Sequence, residues 1–201
     1  MTDCMVVGRP NVGKTCFVLN FAEYMGLKKL KLHLRQTAGY TTIKNYKIED
    51  AREELVSDKM NFTDNLQFVK LKIPVGKIEK DVKIIDSCGL KNGIHPDQKI
   101  RKAMAATIRN LTNSNLILHI IDVSSIDIND EKLLSPIDKM ILNYSSLNNN
   151  YAILINKIDI PEYKSNIDII KNQYSSIYMI AISALYKKGF KEVKKLVLKY
   201  V

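Results

Sequence analysis

Short apolar runs recur along the chain and predict the strands of a sheet. Five runs are almost continuously apolar, and they cover residues 5–7, 82–85, 116–121, 152–155 and 178–182. Runs of this length that are rich in Ile and Val are typical of parallel strands covered on both faces. Residues 66–75 alternate in part between apolar and polar side chains. We expect them to form an edge strand of the same sheet.

Helical stripes fill the gaps between the apolar runs. Apolar residues recur at spacings of three or four in four segments, namely Phe17, Phe21 and Met25; Ile100, Met104, Ile108 and Leu111; Leu133, Leu134, Ile137, Ile141 and Tyr144; and Phe190, Val193, Val197 and Tyr200. Such stripes predict amphipathic helices. Strands that alternate with helices predict one α/β domain over residues 1–201. Its sheet would be doubly wound, mostly parallel and six-stranded, with one edge strand and helices on both faces.

The composition limits the class of protein. Hydrophobic residues make up 46% of the 201 residues and charged residues 26%, which excludes a disordered or collagen-like chain. The three cysteines, Cys4, Cys16 and Cys88, are far apart and lack CxxC spacing, so neither a disulfide framework nor a zinc site is indicated. No segment approaches the roughly 18 apolar residues of a membrane span. We therefore expect a cytoplasmic protein without a membrane partner.

The charge is strongly basic, with 31 Lys and Arg against 21 Asp and Glu and a net charge of +10. Such a charge suits RNA or another anionic partner. The alternative is that an AT-rich coding sequence supplied the 26 lysines, which would then only solvate the surface. Basic residues cluster in two places, which are Lys28, Lys29, Lys31 and Arg35 before residue 41, and Lys188, Lys191, Lys195 and Lys199 on the last predicted helix.

Residues 8–15 follow the first apolar run and open the first helical stripe. They read Gly-Arg-Pro-Asn-Val-Gly-Lys-Thr, which matches G-x-x-x-x-G-K-[ST] in the required strand–loop–helix context. The amides of such a loop and the N-terminus of its helix bind phosphates. Lys14 adds a charge toward the β- and γ-phosphates, and the Thr15 hydroxyl is placed for Mg²⁺. We therefore expect a P-loop NTPase fold, with contacts from Asn11, Val12, Gly13, Lys14, Thr15 and Cys16.

Residues 156–159 follow the fourth apolar run and read Asn-Lys-Ile-Asp, an N-K-x-D motif. Guanine offers two adjacent donors, its N1–H and its exocyclic amine, and the Asp159 carboxylate can accept both. Lys157 would cover the base with its stem, and Asn156 would tie this loop to the phosphate loop. A site built on such hydrogen bonds rejects the wrong base by roughly 10⁴-fold. The motif therefore predicts a guanine nucleotide.

Three further motifs complete the set. Asp86-Ser87-Cys88-Gly89 ends the second buried strand, and we expect Asp86 to hold Mg²⁺ through water and the Gly89 amide to approach the γ-phosphate. A backbone amide of Ser183, Ala184 or Leu185 would meet the guanine carbonyl oxygen. In Gly39-Tyr40-Thr41-Thr42, one threonine hydroxyl would complete the Mg²⁺ shell when a γ-phosphate is bound.

Together these motifs resemble those of GTPase G domains of the translation-factor-related class, nearest the Era-like, 50S-ribosome-binding type. They occur in the same order and span nearly the whole chain, at residues 8–15, 39–42, 86–89, 156–159 and 183–185. The resemblance implies a switch that hydrolyses GTP to GDP and phosphate, with Mg²⁺ held by Thr15, Thr41 and Asp86. Lys14, Thr41 and Gly89 would be catalytic. Gly-x-Thr is the commoner form in these relatives, which favours Thr41 over Thr42.

The residue after D-x-x-G is Leu90, where Ras-like enzymes carry a glutamine that orients the attacking water. Leucine cannot form that hydrogen bond. Many Era-like GTPases have a hydrophobic residue here, and in several of them an asparagine of the phosphate loop coordinates K⁺. Asn11 stands at that position, which predicts K⁺-stimulated hydrolysis. The alternative is that Asn11 only stabilises the loop. Hydrolysis should be slow without a partner or dimerisation.

The stretch from Thr41 to Asp86 is about twice as long as a compact small GTPase needs, judged from the resemblance. The surplus, near residues 44–66, adjoins the nucleotide-sensitive loop called switch I. We expect an extended hairpin or a short helix there, which either binds a partner or is an idle insertion.

Two functions follow. The first is a GTPase switch acting on ribosomal RNA, a ribosome-assembly intermediate or a protein, with a nucleotide-dependent homodimer as one possible form. The second is a non-hydrolysing GTP-binding module that works by dimerising or docking.

Overall fold

The computed structural model describes residues 1–35, 40–56, 66–75, 77–91, 93, 95–128, 133–145 and 150–200. Strands and helices alternate within these ranges. The strands are β1 (Thr2–Val7), β2 (Lys29–Arg35), β3 (Thr41–Lys47), β4 (Leu66–Val75), β5 (Ile78–Asp86), β6 (Leu116–Asp122), β7 (Tyr151–Asn156) and β8 (Met179–Ala181). The helices are α1 (Lys14–Tyr24), α2 (Ile48–Leu55), α3 (Gln98–Asn113), α4 (Pro136–Ser145), α5 (Lys164–Gln173) and α6 (Phe190–Lys199), with short 3-10 turns at Val123–Ser125 and Pro161–Tyr163.

All of these strands belong to one sheet, in the order β3-β2-β4-β5-β1-β6-β7-β8. The pairs β5–β1, β1–β6, β6–β7 and β7–β8 are parallel. The pairs β3–β2, β2–β4 and β4–β5 are antiparallel. The sheet therefore has a parallel half and an antiparallel half that meet at β5.

The predicted mixed, mostly parallel α/β fold is confirmed, but two details of the sheet differ. It has eight strands instead of six, and residues 66–75 lie inside it instead of at its edge. Both differences come from the hairpin of β2 and β3, which pairs beyond β4 and takes the edge position. The signal for β2 is its alternation, because Leu30 and Leu32 are buried between exposed lysines.

Helices cover both faces of the parallel half. On one face, α1, α2 and α6 pack against the sheet, with the rings of Phe17, Phe21 and Phe190 in mutual contact at centroid distances of 5.3–5.7 Å. On the other face, α3, α4 and α5 cover Met5, Ile117 and neighbouring residues. Strand β6 is buried along its whole length, as its continuous apolar run predicts.

Near residues 44–66 the described part of the chain contains the end of β3 and the helix α2, and the predicted insertion stays a prediction. Residues up to Lys47 form β3, and Ile48 begins α2, whose Ile48 and Ala51 are buried against the core. Residues 57–65 lie outside the described ranges, so the prediction for them stays untested. Within the described ranges, no helix is both long enough and apolar enough to cross a bilayer.

Candidate functional site

The sequence motifs gather at one edge of the sheet. The phosphate loop follows β1, D-x-x-G ends β5, N-K-x-D begins at the end of β7, and Ser183 comes shortly after β8. Because these strands run parallel, their carboxyl ends meet at the same edge. Open α/β sheets bind their ligands at this edge.

The phosphate loop touches both neighbouring motifs. Gly13 precedes α1 in the left-handed conformation with φ of 95°, and a Cβ there would lie 2.4 Å from Nδ2 of Asn156. A Cβ on Gly89 would lie 2.6 Å from the Pro10 nitrogen. Both glycines are therefore required by close backbone approach. They allow the three loops to meet around the N-terminus of α1.

Lys14 opens α1 and is nearly fully buried, at 6% exposure. Its Nζ donates a hydrogen bond to the backbone oxygen of Arg9 across the loop, at 2.7 Å. Burial lowers the pKa of Lys14 to about 8, although the nearby Asp86 carboxylate opposes this shift. A buried cation inside a loop of backbone donors is suited to an anionic ligand.

Asp86 and Thr15 form the polar group beneath the loop. Oδ2 of Asp86 accepts hydrogen bonds from Thr15 Oγ1 and Gln67 Nε2, both at 2.7 Å. Oδ1 is buried and accepts no hydrogen bond from the described residues. Burial raises the pKa of Asp86, while Gln67, Thr15 and Lys14 oppose the shift. A carboxylate oxygen without a donor, beside a hydroxyl, has the chemistry of a hard-cation site.

Asn156 connects the phosphate loop with the loop after β8. Its side chain is buried, its Nδ2 donates to the backbone oxygen of Val12 at 2.8 Å, and its Oδ1 accepts from the backbone N–H of Ala184 at 2.8 Å. One amide therefore satisfies backbone groups of both loops. The distance between the phosphate loop and the base motifs is set by this side chain.

The other base-motif residues surround Asn156. Lys157 has a positive φ of 67° and pairs with Asp122 at the end of β6. Asp159 is half-buried and lies close enough to Cys16 to help raise the pKa of that thiol, which burial raises most. Ser183 is buried and its Oγ accepts from the Tyr186 amide, whereas Leu185 is 60% exposed.

A protein-family profile described as "50S ribosome-binding GTPase" matches residues 3–157, more than three quarters of the chain. This chain belongs to that family. The family predicted from the motifs is thereby confirmed.

Relatives of known identity are GTPases as well. The chain is 29% identical over 115 residues to the tRNA modification GTPase MnmE of Thermotoga maritima, an alignment that covers 56% of this chain and 23% of that protein. It is 25% identical over 200 residues to the GTPase Der of Campylobacter hominis, covering 99% of this chain and 34% of that protein. The chain thus spans only a quarter to a third of the length of these relatives.

Solved structures agree on the fold. Era of Aquifex aeolicus bound to GDP.AlF4- superposes with a TM-score of 0.70 and 22% identity, covering 100% of this chain and 57% of that one. An Era complex with MgGDPNP and a piece of 16S ribosomal RNA gives a TM-score of 0.67 and 22% identity, covering 99% and 56%. The chain therefore shares the Era fold.

Thr41 lies apart from the other motif residues of the candidate site. It begins β3, is exposed, and pairs in register with Arg35, which pairs in turn with Leu66. Three strand spacings, about 14 Å, separate it from β5 and Asp86. Thr42, the alternative, is the next residue of the same edge strand, and Gly39 lies outside the described residues. The structure does not bring either threonine to Thr15.

Leu90 and Asn11 occupy different environments. Leu90 is buried in the apolar cluster beneath α3, so its side chain has no access to a reacting water. Asn11 is exposed, with φ of 62°, and its side chain forms no hydrogen bond with the described residues. The alternative in which Asn11 stabilises the loop through its side chain is therefore not supported by the described contacts.

A network of hydrogen bonds and ion pairs lies behind the loop at residues 183–185, which we call the base loop. The sequence does not predict this network. Asn20 of α1 is buried, donates to the backbone oxygen of Ala184 at 2.7 Å and accepts from Arg52 of α2 at 2.6 Å. Arg52 also pairs with Glu23, and Glu23 pairs with Lys187 at 2.6 Å. The only local signal is that Asn20 interrupts the apolar residues around Phe17 and Phe21. No pattern in the sequence indicates that Arg52 of α2 contacts Asn20.

A second network of polar side chains, also not predicted from the sequence, contacts the other side of the phosphate loop. Nε of Arg9 pairs with Asp138 of α4 at 2.8 Å, and Asp138 contacts His119 of β6 at 3.2 Å. His119 reaches the Tyr151 hydroxyl at 2.7 Å. Burial would raise the pKa of Asp138, but hydrogen bonds from His119 and Ser135 and the charge of Arg9 leave that pKa below its usual value. Arg9 is thereby anchored in the core.

Proposed function

We propose that this chain binds GTP, hydrolyses it to GDP and phosphate, and works as a nucleotide-dependent switch. The contact that carries the proposal is the Asn156 side chain, which bonds both Val12 and Ala184. A nucleotide whose phosphates lie on the loop at Gly13 would have its base within reach of the loops that Asn156 joins. Asp159 forms no hydrogen bond or ion pair with the described residues, so its carboxylate is available to the N1–H and amine of guanine.

Mg²⁺ fits the same site. Thr15 Oγ1 and the two Asp86 oxygens are hard donors, and Asp86 Oδ1 accepts no hydrogen bond from the described residues. We propose that Thr15 and Asp86 would hold the ion. When bound, Mg²⁺ would neutralise negative charge on the phosphates. The described residues hold no cluster of three or more His, Cys, Asp or Glu, so a site of that kind is not an alternative within those ranges.

The residues of this chain would divide the work of hydrolysis. Lys14 brings a buried positive charge to the phosphates, and nucleotide binding would draw it away from the Arg9 carbonyl. The Gly89 amide would meet the γ-phosphate. Thr41 lies about 14 Å from β5 and would have to move to join Thr15, so we propose that β3 rearranges when GTP binds. That movement is the switch.

Potassium is the proposed substitute for a water-orienting or charge-neutralising side chain. The exposed Asn11 side chain is available to coordinate K⁺, and the buried Leu90 cannot orient water. Hydrolysis by the isolated chain should be slow and should rise with K⁺, and a homodimer would raise it further. The test is phosphate release in KCl against NaCl at several protein concentrations, with Asn11→Ala as the matched variant.

The second candidate is a GTP-binding module that does not hydrolyse. It is favoured by one observation, namely that neither Leu90 nor Thr41 is placed to act on a γ-phosphate. The same experiment separates the two candidates. The GTPase is supported if phosphate release exceeds the rate in buffer alone and is lower in Asn11→Ala. The module is supported if no phosphate is released in either salt at any protein concentration.

Partner and location are proposals as well. Era, which shares the fold, has been solved with 16S ribosomal RNA, and the net charge of +10 suits an RNA. We propose ribosomal RNA or a ribosome-assembly intermediate as the partner. None of the three cysteines forms a disulfide, which fits the reducing cytoplasm.

A further inference from the structure

Among the described residues, no helix covers the outer part of one of the two faces of the antiparallel half of the sheet. Side chains alternate along each strand, and Leu30, Leu32, Val69 and Leu71 point into the core beneath α1, α2 and α6. The residues between them point to the opposite side. On that side α3 and α4 cover Leu66 and Ile85, but the next residues outward are exposed or half-exposed. We call this surface the open sheet face.

The register fixes which side chains share the open sheet face. In β2 they are Lys29, Lys31, His33 and Arg35, which pair with Lys47, Asn45, Ile43 and Thr41 of β3. From β4 come Phe68, which pairs with His33, and then Lys70 and Lys72. From β5 come Lys83 and Asp81, which pair with Lys70 and Lys72. Neighbouring strands are about 4.8 Å apart, and side chains of one strand on this face about 6.8 Å apart.

The charge of the open sheet face is positive and poorly compensated. Lys72 pairs with Glu79 at 3.5 Å and Lys83 with Asp3 at 2.8 Å. The remaining basic residues have no ion-pair partner among the described residues, and they are Lys29, Lys31, Arg35, Lys47 and Lys70. Asp81 adds an exposed carboxylate to the face, but the basic residues still outnumber the acidic ones, and such a surface attracts a polyanion.

An aromatic pair lies among these lysines. The rings of His33 and Phe68 stack across β2 and β4 with centroids 4.6 Å apart and planes 7° apart, and Lys83 lies over the Phe68 ring at 4.9 Å. Beside them, Ile43 is 55% exposed. Partial burial and the nearby Lys70 and Lys31 lower the pKa of His33, so the imidazole is mostly neutral at pH 7. Flat apolar groups within a basic surface suit nucleic-acid bases, which stack on rings.

We propose that the open sheet face binds single-stranded RNA, with its lysines and Arg35 on phosphates and a base stacked on the His33 ring, which Phe68 supports. An acidic protein segment would use the charges but not the stacked rings. The RNA would lie next to Thr41, which begins the edge strand, so that a rearrangement of β3 on GTP binding would alter the RNA site. The inference rests on the RNA partner of the proposed function, but not on GTP hydrolysis.

The test is fluorescence anisotropy of a labelled 12-nucleotide oligouridylate from 50 to 200 mM KCl. The variant Lys31→Glu/Lys70→Glu should bind much more weakly, and its salt slope should be smaller by about 1.4, since each single-strand phosphate contact contributes about 0.7. The matched control is Lys191→Glu/Lys195→Glu on α6, which changes the net charge equally at exposed positions. That control should keep the wild-type slope. Equal loss in both variants, or no binding by the wild type at 50 mM KCl, would overturn the proposal.

His33→Ala tests the stacking contact. It should weaken oligouridylate binding by about tenfold and leave the binding of a polyglutamate of similar charge unchanged. If polyglutamate binds as tightly as RNA and His33→Ala has no effect on either, the face serves an acidic protein and the proposal is wrong. GTP affinity is measured on the same samples and should stay at the wild-type value. Failure to bind GTP would refute the proposed function. The oligouridylate measurements would still test whether the open sheet face binds RNA.

Discussion

The two halves of the sheet differ in how their polar residues are held. In the parallel half, the loops at the strand ends are fixed by buried hydrogen bonds, with Asn156, Asn20 and Asp138 each satisfying groups of another element. In the antiparallel half, the polar residues of β2 alternate with core leucines and face outward. The proposed nucleotide site is therefore preformed by these contacts, while Thr41 lies on the other half of the sheet. Binding and hydrolysis should respond to different substitutions.

The largest effect should come from the base site. Asp159→Asn replaces one of the two acceptor oxygens by an N–H donor that faces a guanine donor, and GTP affinity should fall by roughly 10⁴-fold, because discrimination built on such hydrogen bonds has this size. Xanthosine triphosphate should bind better to the variant, since its C2 oxygen accepts from the new amide. Calorimetry with both nucleotides measures this exchange. Asp168→Asn, at an exposed position of α5, should match the wild type; an unchanged GTP affinity in Asp159→Asn would remove Asp159 from the site.

Asn156→Ala tests whether the parallel half is held together as described. The Val12 oxygen and the Ala184 N–H both lose their buried partner, and each loss costs about 1–3 kcal/mol. Thermal unfolding should show the lower stability and titration a GTP affinity reduced by at least tenfold. Asn166→Ala is the matched control, because Asn166 is a buried asparagine whose contacts, at 3.4 and 3.5 Å, lie outside the site. A lower GTP affinity of the same size in that control would mean that the effect is a general loss of stability.

The contribution of Lys14 to the stability of the nucleotide-free protein should increase as the pH rises from about 8 toward 10.5. Folding lowers the pKa of Lys14 from 10.5 to about 8, so the unfolded chain binds more protons in this window and stability rises with pH. The gain that belongs to Lys14 is on the order of 3 kcal/mol. Urea unfolding of the wild type and of Lys14→Met is measured from pH 8 to about 10.5. The difference between the two free energies of unfolding gives the Lys14 contribution. Lys164→Met, at an exposed site, should follow the wild type, and parallel curves for all three proteins would contradict the prediction.

A smaller effect should follow from Arg52→Ala. The Arg52 side chain, through Asn20, connects α2 with the base loop. Arg52 holds Asn20, and Asn20 holds the Ala184 oxygen, so the loop should loosen without losing a nucleotide contact. Because Arg52 is partly exposed, we expect about 1 kcal/mol, seen as GDP release about fivefold faster. Release of a fluorescent GDP analogue measures it. Lys44→Ala, which breaks an exposed pair with Glu54 of the same helix, should change release less than twofold. Equal rates of GDP release in the two variants would contradict the view that Arg52 of α2 stabilises the base loop.

The sequence predicted the parallel half well and the antiparallel half poorly, for a physical reason. Strands buried on both faces leave continuous apolar runs, and the nucleotide motifs have fixed spacings, so residues 8–15 and 156–159 could be recognised directly. The alternating Lys29–Arg35 segment was interpreted as a basic cluster only, which hid β2 and made β4 look like an edge. The contact between Arg52 and Asn20 joins residues 32 positions apart and leaves no periodic trace.

The central claim is that the site binds guanine, and it is tested by titrating the purified chain with GTP and with ATP in the same Mg²⁺ buffer in a calorimeter. We expect GTP to bind and ATP to bind roughly 10⁴-fold more weakly. Equal affinity for the two nucleotides would contradict the assignment of Asp159 and the loops around it.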